Sequence, residues 1–158
     1  MNRAMRLLAA RPRSVAELRE RLLEKPWTDK RIVDSVIEKL KGYNYLDDEQ
    51  YARDLALSKL RSLPQGKRRL LHAIAQKPLD RSLIEAAVAE AYEEIPESEL
   101  LDQAIAKRLR LRGAPRSRDE RKKFLDHLLR RGFSYDLIRD RLPAISNDDA
   151  PDTFPCDR

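Results

Sequence analysis

The side chains of this sequence best placed to do chemistry are cations. Lys67, Arg68 and Arg69 stand together, and Lys107, Arg108, Arg110 and Arg112 follow further on. Arg116, Arg118, Arg121, Lys122 and Lys123 come next, with Arg130 and Arg131 beyond them. From 107 to 131 the acidic exceptions are Asp119, Glu120 and Asp126. A guanidinium presents paired N–H groups that match a phosphate or a carboxylate, whereas an ammonium acts as a point charge. Such a strip suits the phosphates of a nucleic acid or an acidic protein face; its plain alternative is a solvated helix surface. The formal net charge of +6 over 158 residues favours association with a polyanion without specifying one.

Other chemistry finds little support. His72 and His127 have no Ser, Cys or ligand cluster at a workable spacing, so no catalytic residue is expected. Asp47 and Asp48 have helix-cap spacing and no nearby His, which favours capping over metal binding. The four glycines fall at helix breaks and form no phosphate-cradling run. No enzyme, cofactor or metal site is expected. Base stacking needs aromatic side chains, and near the strip stand Phe124, Phe133 and Tyr135, the first two at core positions. Trp27 is expected in the core, with Tyr43 and Tyr45 packed at a joint.

The lone Cys156 permits no intrachain disulfide and suits a reducing cytoplasm. Residues 1–25 are arginine-rich without an apolar run, unlike a signal peptide. No stretch approaches the ~20 apolar residues of a membrane span. The expected location is cytoplasmic, away from membranes.

The elements that must position the cations are written as a repeat. Lys25-Pro26-Trp27-Thr28, Lys77-Pro78-Leu79-Asp80 and Arg131-Gly132-Phe133-Ser134 each combine a cation, a helix stopper, a large apolar residue and an N-cap. Pro26, Pro78 and Gly132 are 52 and then 54 residues apart. The same register aligns Leu18, Leu70 and Phe124, then Leu22, Ile74 and Leu128, then Ile32, Ile84 and Ile138. A period of this size marks stacked helical units that cannot bury their apolar stripes alone.

The expected fold is all-α, an elongated array of three tandem three-helix repeats over 1–44, 45–95 and 96–142, with 143–158 a disordered acidic tail. In the first unit Ser14 and Glu17 form a capping box, Thr28 caps the third helix, and Ile32, Val33, Val36, Ile37 and Leu40 make its buried stripe. In the second, Asp47 caps with Gln50 reaching back, and Asp80 caps the last helix. In the third, apolar residues run from Leu100 to Leu109 and on to Leu111, and Ser134 caps a short final helix.

Two stretches resemble the RecX family, the bacterial regulators of the RecA recombinase. One is Ser14, Glu17, Leu18, Leu22 and Leu23, a cap followed by Glu-Leu and a leucine pair before a break. The more specific is Asn44-Tyr45-Leu46-Asp47-Asp48-Glu49-Gln50-Tyr51-Ala52, where the family reads Gly-Tyr-Leu-Asp-Asp, two variable residues, an aromatic and Ala. Asn44 replaces Gly, and Asn is the next residue most tolerant of left-handed backbone. Arg61, then Gly66 before a basic turn, match too, and the resemblance spans about Ala4 to Leu142. Pro26 and Pro78 stand where the family usually has Gly, which stiffens those joints.

An array with polar end helices is expected to be a monomer by default. The resemblance implies a non-enzymatic regulator that binds the RecA–DNA filament along its groove. Its effect would be to inhibit strand exchange, ATP hydrolysis and co-protease activity in DNA repair and the SOS response. The residues add a physical reason: several weak contacts on one array raise the effective concentration of each following contact along a repeating polymer. Single-stranded or duplex DNA is a further partner through the cationic strip. The competing readings are a stand-alone DNA-binding helical module and a structural scaffold.

Overall fold

A computed structural model describes residues 1–26 and 28–142. Among them are nine helices and no strand. The first three are α1 (Asn2–Ala10), α2 (Val15–Leu23) and α3 (Lys30–Gly42). Next come α4 (Asp48–Ser62), α5 (Lys67–Ala75) and α6 (Arg81–Glu94). The last are α7 (Glu97–Arg112), α8 (Arg118–Arg130) and α9 (Tyr135–Arg141). The protein is an all-α array of tandem three-helix units. The expectations for Trp27 and for 143–158 lie outside the described residues.

Local chemistry sets the helix starts. Side chains of Ser14, Asp47, Ser117 and Ser134 each accept from a backbone N–H in the first turn of their helices, covering donors that would otherwise lack a partner. Ser117 and Glu120 form a full capping box on α8. Asp80 holds the N-cap position of α6 without a side-chain cap bond. Gln50 does not reach back to Asp47; its Nε2 donates to Asp54 Oδ1 one turn along, at 2.9 Å.

The first unit corrects the repeat register. Asp29, not Thr28, caps α3, its Oδ1 accepting from the Arg31 N–H at 2.6 Å. An ionised carboxylate is the stronger acceptor for these donors, and it draws the helix start one residue on. The buried residue four positions after each cap is then Val33, Ile84 and Ile138, and each donates its N–H to the cap carbonyl at 3.0–3.1 Å. Ile32 is correspondingly turned out, 60% exposed. Leu18, Leu70 and Phe124, and Leu22, Ile74 and Leu128, are all buried as the repeat requires.

Two cores result. Ala4, Leu18, Leu22, Val33, Ile37, Leu40 and Leu46 pack together in the first. The second runs unbroken from Ala56 on α4, through Ile74 and Val88, to Leu101, Phe124, Leu128 and Ile138. The second and third units therefore share an interior; Ala56 is the first buried residue in it, with the partly buried Leu55 packed alongside.

The joint between the first two units is polar. Asp48 Oδ1 accepts from the Val15 N–H at 2.8 Å, so a residue of α4 caps α2 from outside. Ser14 Oγ donates to the Pro78 carbonyl, and Lys77 Nζ meets Glu17 Oε1 at 2.8 Å with Tyr51 donating to the same carboxylate. At the other joint Gly66 donates its N–H to the Arg131 carbonyl at 2.8 Å, and Arg131 Nη1 donates to the Pro64 carbonyl. Tyr92 secures the same loop by donating to the Gln65 carbonyl at 2.9 Å; burial pushes this phenol well up from its ordinary range.

A candidate polyanion surface

The cations of the strip stand on four elements. Lys67, Arg68 and Arg69 open α5, where a helix N-terminus disfavours positive charge. Glu97 offsets this, its Oε1 accepting from the Lys67 N–H at 2.9 Å. Lys107, Arg108, Arg110 and Arg112 occupy the last turns of α7, where cations complement the helix dipole. Arg116 lies in the 113–117 turn, and Arg118, Arg121, Lys122 and Lys123 fill the first half of α8.

The structure divides this strip in two. Arg69 Nη1 donates to the Arg130 carbonyl, so the start of α5 sits against the end of α8 at the joint of units two and three. Arg131 is pushed down from the ordinary arginine range by burial and by the Arg69 guanidinium. Arg130 and Arg131, the last cations of the series in sequence, thus join its first group in space. The second group gathers at the α7–α8 turn, the ~20 Å length of a 13-residue helix away.

Helical spacing sorts the second group further. Arg108 and Arg112, four apart, line a cleft of about 300 Å³ with Lys123, Glu120, Phe124 and the Gly113-Ala114-Pro115 turn. Lys107 and Arg110 share a different face of α7, and Arg118, Arg121 and Lys122 share one face of α8. The cations form facets rather than one row.

Several cations outside the strip are paired, Arg19 with Asp34, Arg53 with Glu90, Arg61 with Glu94 and Lys77 with Glu17, while others such as Arg6, Lys30 and Lys39 have no ion pair among the described residues. Among the described residues Lys67, Arg68, Lys107, Arg108, Arg110, Arg112, Lys122 and Lys123 have no ion pair. Glu120 is committed to capping: N–H groups of Arg116 and Ser117 hold its carboxyl below the usual range, helped by the Arg116 and Lys123 charges. His127, partly buried on α8, is pushed down by burial and by Arg108, Arg131 and Arg130, which places one imidazole between the two groups.

Phe124 and Phe133 are buried in the core, leaving Tyr135 as the exposed ring of the three. Tyr43 and Tyr45, expected to pack, are 66% and 58% exposed, because the turn at Asn44 (φ 57°) lifts both rings away. Leu109 and Leu111 also face outward, since the buried run of α7 stops at Ile105. Among the described residues no group of three or more His, Cys, Asp or Glu could hold a metal ion, and no helix is long and apolar enough to cross a membrane.

These features define an all-α tandem-repeat protein, three helices to a unit, whose second and third units carry cations with no ion pair among the described residues. Models of the first, second and third three-helix domains of RecX match residues 1–40, 47–88 and 96–142. The chain belongs to the RecX family. It is 34% identical over 145 residues to the regulatory protein RecX of Prosthecochloris aestuarii, covering 92% of each chain. To that of Chlorobium limicola it is 32% identical over 144 residues, 90% of this chain and 86% of the other. The fold is also that of a crystal structure of RecX from Lactobacillus salivarius, with a TM-score of 0.77 at 21% identity over 91% of this chain and 92% of that one.

Proposed function

We propose that this protein binds RecA–DNA filaments and inhibits RecA recombinase, ATPase and co-protease activity, as a non-enzymatic regulator in bacterial DNA repair and the SOS response. Membership of a family whose relatives are named regulatory proteins supports the regulatory part. The observation that carries the partner is the set of unpaired cations on units two and three: Lys67, Arg68, Lys107, Arg108, Arg110, Arg112, Lys122 and Lys123, with Arg69, Arg116, Arg118 and Arg121 beside them. Leaving so many charges without counter-ions fits a surface that meets a polyanion. The tandem units 1–44, 45–95 and 96–142 would lay successive contacts along the filament, acting as a cytoplasmic monomer.

The test is RecA-catalysed, single-strand-dependent ATP hydrolysis with this protein added to preformed filaments, beside binding to the same DNA without RecA. Inhibition below one protein per RecA supports the filament regulator. Unchanged hydrolysis with tight binding to bare DNA identifies a stand-alone DNA-binding module instead.

A further inference from the structure

One part of the cationic surface is built rather than merely charged. The cleft at the α7–α8 turn takes Arg108 and Arg112 from one helix and Lys123 from the other, over a floor formed by Phe124, which is buried. Its volume of about 300 Å³ is too small for a folded partner element and ample for one tetrahedral anion with its water. Arg108 is the informative residue. It is partly buried, its Nε lies out of reach of solvent with no acceptor, and the guanidinium makes no ion pair among the described residues. A buried N–H donor without an acceptor is costly, and this one belongs to a side chain that lines an open cleft.

The charge balance says what would relieve it. Three cations face one carboxylate, Glu120, whose Oε2 is already held by the backbone N–H groups of Arg116 and Ser117. Two positive charges are left over, which matches a phosphate group better than a neutral ligand or a further cation. Arg112 has an ordinary structural reason to be cationic, because it ends α7 and complements the dipole, and Arg108 one turn earlier shares that reason more weakly. Lys123, three residues after Glu120 on α8, lines the cleft and makes no ion pair among the described residues, its charge acting on Glu120 only at longer range.

We infer that the α7–α8 cleft is a seat for a single phosphate group, held by Arg108, Arg112 and Lys123. The group comes from a strand phosphodiester or from free phosphate. The inference deepens the proposed function, since it takes the cationic surface as the one facing the partner.

The experiment follows the amide resonances of Gly113 and Ala114 in the full-length protein against three probes: inorganic phosphate, a twelve-nucleotide thymidine single strand, and polyglutamate. The expected result is a saturable shift with phosphate, lost in the Arg112→Gln/Lys123→Gln double variant. These exposed positions leave the fold intact, as unchanged helicity would verify, whereas Arg108→Lys keeps the charge and tests the fork. If the strand displaces phosphate, the source is DNA, and the variant's salt slope is shallower by about 0.7, one phosphate's worth. If phosphate saturates but the strand does not displace it, the seat stands and its source is free phosphate. Saturation by polyglutamate with no response to phosphate overturns the inference, as does phosphate binding unchanged in the double variant. RecA ATPase inhibition measured alongside separates the two claims. Wild-type inhibition without phosphate binding removes the seat alone; phosphate binding without inhibition removes the regulator alone.

Discussion

Gly66 and Gly132 meet backbone to backbone. A Cβ on Gly66 would lie 2.2 Å from the Gly132 carbonyl carbon, and one on Gly132 would lie 2.6 Å from the Arg69 backbone nitrogen. Gly132 also holds φ at +87°, a region that disfavours side chains. The second and third units can therefore share a core because two glycines, far apart in sequence, let their loops touch.

Gly66→Ala should lose stability at or above the upper end of the ~1–3 kcal/mol cost of overpacking, since the obstacle is backbone rather than a movable side chain. Gly42→Ala, whose added Cβ meets nothing within 4 Å, should be neutral or stabilising by up to ~1 kcal/mol. Urea denaturation followed by circular dichroism compares them; equal effects would refute the close approach.

The register of the first unit gives a paired test. Val33→Ala should cost about 2 kcal/mol, because a fully buried branched side chain loses its packing. Ile32→Ser should stay within ~0.5 kcal/mol, being a surface change. The reverse order would restore Thr28 as the cap.

Asp48→Ala should cost about 1 kcal/mol, the usual worth of a helix cap, although Asp48 sits on a helix other than the one whose N–H it accepts. Hydrogen exchange would place the effect: faster exchange in the first turn of α2, with α8 unaffected.

The Glu17–Lys77 pair predicts a pH dependence of opposite sign at the two ends of the scale. Burial pushes Glu17 up, but the hydrogen bond and charge of Lys77, with the Ser14 backbone, outweigh it, and the net shift is downward from 4.5. A lowered carboxyl stabilises the fold above that ordinary value, and the contribution is lost as pH falls through the folded value. Lys77 is raised above 10.5, chiefly by its hydrogen bond to Glu17, so its contribution holds below that value and is lost as pH rises through the folded one. The stability gap between the protein and Glu17→Gln should be full at pH 7 and close in acid. A gap independent of pH down to 2 would rule the pair out as its source.

Charge reversal at Arg68, Arg110 and Arg121 together should lower filament affinity at least about tenfold at low salt, with the difference shrinking as salt rises. Circular dichroism should not change. Undiminished RecA inhibition in that triple variant would reduce the surface to a solvated face.

How much of this was legible in the sequence depends on the range of the interaction. Caps act over three residues and burial stripes over four, so Ser14, Asp47 and Ser134 and the aligned Leu18, Leu70 and Phe124 could be read directly. The Asn44 turn was readable for the same reason. The slip from Thr28 to Asp29 came from lining up units that differ by one residue, where both side chains can cap. The tertiary pairings left no local trace. Nothing near Asp48 says that its acceptor will find Val15, and nothing near Arg108 says that its Nε will be enclosed. A row of cations in sequence also says little about facets in space, since neighbours on a helix point about 100° apart.

The two joints are made of different materials. One rests on polar side chains: Glu17 paired with Lys77, Asp48 accepting from the Val15 N–H, and Ser14 donating to the Pro78 carbonyl. The other is main chain against main chain over a shared apolar interior. Acid and added salt act on the first and leave the second nearly untouched. Low pH or high salt should therefore loosen the first unit from the second before it parts the second from the third.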